Sequence, residues 1–64
     1  MNRSEALKII RAAAKAKDRP VRVDTKAGKG SHAKVYVGRS RTVIPNKVSP
    51  FMLRKILGQL DLED

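Results

Sequence analysis

The chain has 64 residues, 15 of them Lys or Arg against 6 Asp or Glu, for a formal net charge of +9. That length holds one domain, residues 1–64, and excludes doubly wound nucleotide-binding sheets, α/β barrels and two-lobed clefts, because so small a domain buries only about 60% of its unfolded surface. With no Cys there are no disulfides, no thiol catalysis and no usual zinc-finger ligand set, and no run of residues reads as a membrane span or a signal peptide, so a soluble cytoplasmic protein is expected.

Residues 4–17 place Ala6, Ile9, Ile10, Ala13 and Ala16 at helical spacing, with Lys8, Arg11 and Lys15 on another stripe. Ser4 is the expected N-cap and Glu5 complements the dipole of the first turn. Asp18-Arg19-Pro20 ends the helix, since the residue before proline is pushed out of helical backbone. From Val21 the period becomes two. Val21, Val23 and Thr25 alternate with Arg22, Asp24 and Lys26; Ala33, Val35 and Val37 alternate with His32, Lys34 and Tyr36; a third short run covers Arg41 to Ile44. Ala27-Gly28-Lys29-Gly30 and Gly38-Arg39-Ser40 supply the turns of an antiparallel meander with one apolar face.

The last element begins at Ser49, a capping residue, followed by Pro50 at the first helical position, where a missing N–H costs nothing. Val48 and Leu53 stand at hydrophobic-staple spacing, and Leu53, Ile56, Leu57 and Leu60 form one apolar stripe. The expected fold class is therefore α+β, one small α-β-β-β-α domain whose three-stranded antiparallel sheet is covered on one face by two helices.

Charge is unevenly distributed. Residues 1–17 carry +4, Asp18 carries −1, residues 19–47 carry +7 and residues 48–64 carry −1, so the excess belongs to the first helix, the sheet and the turns. Clustered positive charge of this kind speeds encounter with nucleic acid and supplies affinity without sequence preference. Paired catalytic carboxylates are absent from that region, where Asp24 stands alone, and one His without Cys does not make a metal site; no metal or cofactor is expected. Gly28-Lys29-Gly30 lacks the spacing of a phosphate-binding loop and reads as a tight turn carrying a base. His32 has a different setting. It follows that turn directly, on the face opposite Ala33, Val35 and Val37, and imidazole is the side chain suited to proton transfer near neutrality. Tyr36 offers a ring either for stacking on a base or for packing.

Gly30-Ser31-His32 at the head of an alternating strand, then Thr42-Val43-Ile44-Pro45, then Leu53-Arg54-Lys55-Ile56-Leu57-Gly58-Gln59-Leu60-Asp61-Leu62, resembles the HicA family of toxins from bacterial toxin–antitoxin modules. The resemblance implies a double-stranded-RNA-binding-like fold used as an endoribonuclease that cleaves messenger RNA and slows growth. It also implies a cognate HicB-type antitoxin as partner, with His32 as the catalytic residue presented by Gly30 and Ser31. Lys26, Lys29, Ser31, Lys34, Arg41 and Lys47 are the candidates for holding RNA phosphates, Lys47 standing where many relatives carry a second His. Three other readings remain open: a basic double-stranded-RNA-binding module without catalysis, a structural ribosomal or nucleoid protein, and a membrane-active cationic helix, the last set against most of the base excess lying outside the helices.

Overall fold

The computed structural model describes residues 1–26 and 32–63. Its first helix, α1, runs Arg3–Ala16 and is capped by Asn2, whose side-chain oxygen accepts from the Glu5 N–H at 2.9 Å. The cap is thus Asn2 and not Ser4. Asn2 is fixed from outside the helix as well: it forms an isolated β-bridge with Lys47, flanked by Arg3 N–H to Asn46 O at 2.8 Å and Val48 N–H to Met1 O at 2.8 Å. The buried line of α1 is Ala6, Ile10 and Ala14, at strict four-residue spacing, with Leu7 and Ala13 partly buried beside it. Ile9 and Ala16, expected inside, are exposed, because the small Ala6 and Ala14 bring the adjacent stripe nearest the sheet.

Three strands follow: β1 (Val21–Asp24), β2 (Ala33–Val37) and β3 (Ser40–Ile44), all antiparallel in the order β1-β2-β3. The pleat of β2 reads buried, exposed, buried, half-buried, buried from Ala33 to Val37, the alternation expected of a sheet with one face on a core. Thr25, expected to continue the apolar face of β1, is exposed in a bend beyond the strand; the Asp24 carboxylate accepts from the Lys26 N–H at 2.9 Å and turns the chain there. β2 and β3 are joined by the two-residue loop Gly38-Arg39, where Gly38 has φ +55°. A type II′ turn needs that sign at its first central position, which is why glycine sits there.

The last helix, α2 (Pro50–Gln59), matches its expected signals residue by residue. Ser49 accepts from the Met52 N–H at 3.1 Å, Pro50 is the first helical residue, and Val48 and Leu53 are both buried. α2 packs along β3, where the Thr42 hydroxyl hydrogen-bonds the Gln59 side chain. One core results, built from Ala6, Ile10 and Ala14 of α1, alternate residues of the sheet, and Val48, Leu53, Ile56, Leu60 and Leu62. This is the α-β-β-β-α domain expected, with both helices on one face of the sheet.

Both helices end in the same way. Past α1, Asp18 adopts φ +54°, with its N–H on Lys15 O (3.0 Å) and the Arg19 N–H on Ala14 O (2.9 Å). Past α2, Asp61 adopts φ +57°, with its N–H on Gly58 O (3.1 Å) and the Leu62 N–H on Leu57 O (2.8 Å). Each is a Schellman motif with Asp in the left-handed position that glycine usually fills. The two ends meet: Arg19 Nη1 donates to Asp61 O at 2.6 Å and lies 3.3 Å from the Asp61 carboxylate, and Lys17 Nζ donates to Glu63 O at 3.0 Å. Cations therefore sit where two negative helix ends converge. Among the described residues no helix is long and apolar enough to cross a membrane.

Candidate functional site

With α1 and α2 on the inner face, the outer face of the sheet is left uncovered by the rest of the described chain. Register assembles it row by row. Tyr36 lies between Arg22 on β1 and Arg41 on β3; Lys34 lies between Asp24 on β1 and Val43 on β3. Directly opposed residues of an antiparallel pair have Cβ atoms about 5 Å apart, and successive rows on one face are separated by about 7 Å. Arg22, Lys34 and Arg41 are exposed, so among the described residues this face sets three bases against the single acid Asp24.

Tyr36 is half-buried at the centre of that face. The guanidinium carbon of Arg22 stands 4.5 Å from its ring centroid, inside the range of a cation–π contact, so Arg22 covers the ring from the β1 side and fixes its tilt. On the β3 side lies an open depression of about 340 Å³, lined by Lys34, Tyr36, Arg41, Thr42 and Val43. Val43 leaves 47% of its surface in solvent, an exposure that no packing among the described residues relieves.

His32 stands exposed immediately before the buried Ala33, at the head of β2 and two residues ahead of Lys34. His32 therefore stands at the end of the sheet where β1 also ends and where the exposed Lys26 leaves it. Lys34 and Arg41 thus share the face proper, and His32 and Lys26 share its end. Lys47 leaves β3 toward the same end, but its bridge to Asn2 draws it away. It lines surface depressions with Asn2, Ser49 and Met52, not with the residues of the outer face. Lys29 and Ser31, together with Gly30, lie outside the described residues.

One residue of the candidate site, Arg22, is not legible in the sequence. Arg22 shares the alternation of β1 with Asp24, but its place against Tyr36 depends on pairing across the long β1–β2 connection, which strand periodicity does not specify.

Chemically, the face can hold phosphates by charge and a planar group by stacking, and its end carries a group able to move a proton. No family model, curated protein or solved structure matches the chain, so the functional reading rests on these residues.

Proposed function

We propose that this protein is an RNA-binding endoribonuclease, the toxin of a HicA-type toxin–antitoxin pair, with His32 as its proton-transfer residue. The observation that carries the reading is the exposed His32 at the head of the central strand, in line with Lys34 on an uncovered cationic face. The motif resemblance around Gly30-Ser31-His32 supports the same assignment.

The chemistry suited to one His and several cations uses the RNA's own 2′-hydroxyl. Its oxygen attacks the adjacent phosphorus while its proton passes to the imidazole; the bond from phosphorus to the 5′-oxygen breaks, and that oxygen takes up a proton. The products are a 2′,3′-cyclic phosphate and a 5′-hydroxyl. General acid–base assistance of this kind contributes about 10²–10⁴-fold. Lys34, two residues along the chain from His32, with Lys26 and Lys29, would hold the scissile phosphate and balance charge on its equatorial oxygens, and Arg41, in the row of Tyr36, would hold the strand farther along the face. Such a mechanism needs no metal. An antitoxin that blocks the face would present carboxylates to it, and its association would slow as salt rises.

A binding module without catalysis is the second reading, favoured by the same cationic face, because phosphate and 2′-hydroxyl contacts suffice for RNA binding. Incubating wild-type and His32→Ala protein with a long RNA, with and without chelator, and mapping the ends separates the two. The nuclease reading expects chelator-insensitive cuts that vanish with His32→Ala and at sites carrying a 2′-deoxy substitution. Cuts that persist at the deoxy sites, or equal cutting by both proteins, would sink it.

A further inference from the structure

We infer that the depression beside Tyr36 is a subsite for one unpaired RNA base, stacked on the side of the ring that Arg22 leaves open, with Lys34 and Arg41 taking the flanking phosphates. The inference rests on the RNA reading above and names the substrate class: single-stranded RNA.

Three observations carry it. First, the ring is prepared for stacking. It is held on its β1 side by Arg22 at 4.5 Å and open on its β3 side, where the 340 Å³ depression begins. A base entering there completes a guanidinium–ring–base sandwich, and bases of any sequence present a face to stack. Second, the walls suit a nucleotide. Val43 and the ring supply apolar contact, and the exposed Lys34 and Arg41 stand on either side of it, one in each row of the face. Third, charge is asymmetric across the sheet. Asp24 lies on β1 opposite Lys34, whereas the described residues of β3 carry Arg41 and no acid, so a polyanionic strand is drawn to the β2–β3 side, where the depression lies.

The subsite also lies within reach of the chemistry. Tyr36 is four residues along β2 from His32, about 13 Å at strand rise, or about four nucleotides of a stacked strand and fewer of a splayed one. A base in the depression would set which phosphate meets His32. Paired bases cannot reach it, because their faces are occupied by their neighbours in the stack.

The test uses the full chain carrying His32→Ala, so that RNA stays intact, and reads binding instead of cleavage. Tyr36 is the chain's one Tyr, and with His32 replaced Phe51 is the one other aromatic side chain, so the two-doublet pattern of the Tyr36 ring protons identifies them. Adding a short unstructured oligouridylate should move them upfield; the same length of RNA as a perfect duplex should not. In fluorescence anisotropy, adding Tyr36→Ala should weaken binding of the labelled single strand by about 5- to 150-fold, while Tyr36→Trp keeps it and duplex binding is unchanged. Ring resonances unmoved by the single strand would overturn the subsite, and so would equal losses for single strand and duplex. Because neither readout involves cutting, a subsite that holds in a protein that never cleaves RNA would refute the nuclease reading alone, and cleavage without the Tyr36 effects would refute the subsite alone.

Discussion

The two faces of the sheet are made by alternate residues of the same three strands, yet they have little chemistry in common. Inward, Ala33, Val35, Val37 and Ile44 are almost wholly removed from water and meet both helices. Outward, Arg22, Lys34, Arg41 and Val43 remain in solvent around one half-buried tyrosine. A sheet that needed only to be soluble would do as well with neutral polar residues or charges of mixed sign outside. Here the described outer face sets three bases against one acid beside an open aromatic ring, an arrangement that contributes little to folding and suits a polyanion. Substitutions inside should therefore register in stability and those outside in RNA chemistry, and each experiment below would fail if the two faces were not separable in this way.

The largest effect is expected at the end of the outer face. His32→Ala should lower RNA cleavage by about 10²–10⁴-fold, while thermal unfolding changes by no more than about 0.5 kcal/mol, as for surface substitutions generally. A melting temperature that falls together with activity would mean that His32 braces the fold. The inner counterpart is Ile44→Ala, which removes most of a side chain with no exposed surface. Such truncations cost about 2–5 kcal/mol, against about 3–10 kcal/mol for the whole of a 64-residue domain at typical stability per residue. Urea denaturation should show a large loss, with part of the population unfolded in plain buffer.

These two positions also mark how far the sequence alone leads. Ile44 and the α2 stripe are legible because periodicity and caps are local: Ser49, Pro50 and the Val48–Leu53 staple act within one turn of each other. Pairing across the β2–β3 turn is nearly as accessible, since a two-residue loop leaves one register, and that register sets Tyr36 opposite Arg41. The contact of Arg22 with Tyr36 is not legible, because the connection from β1 to β2 is too long to impose a register. The cap of α1 is lost for a related reason. Asn2 and Ser4 compete as local signals, and the choice is made by the bridge to Lys47, 45 residues away in the chain. The same bridge holds Lys47, a phosphate-holding candidate in the sequence, away from the outer face.

A smaller effect should separate the bases of the outer face from one another. Binding of single-stranded RNA weakens with salt at a logarithmic slope of about 0.7 per phosphate neutralised. Lys34→Gln and Arg41→Gln should each flatten that slope by roughly 0.7, and Lys47→Gln, bridged to Asn2 and apart from the face, should leave it nearly unchanged. An equal effect at Lys47 would mean that RNA runs off the sheet toward the N-terminal segment.

The smallest effects concern the helix ends that hold the inner layer in place, and they should leave RNA binding untouched. Asp18 and Asp61 both occupy left-handed backbone, at φ +54° and +57°, beside the negative end of a helix. Glycine relieves the backbone strain and removes a misplaced charge, partly offset by the freedom it gives the unfolded chain, so Asp18→Gly should stabilise by about 0.5–1 kcal/mol. At roughly 4–8 °C per kcal/mol for a domain of this size, that is a rise of several degrees in melting temperature. Asp61→Gly should gain less, because it also deletes the carboxylate paired with Arg19 at 3.3 Å, although the main-chain oxygen that accepts from Arg19 Nη1 remains. Removing the pair first isolates that difference: in an Arg19→Gln background the two glycine substitutions should raise the melting temperature by similar amounts. Equal gains with Arg19 intact would show instead that the exposed ion pair adds nothing, and that Arg19 joins the two helix ends through its main-chain hydrogen bond alone.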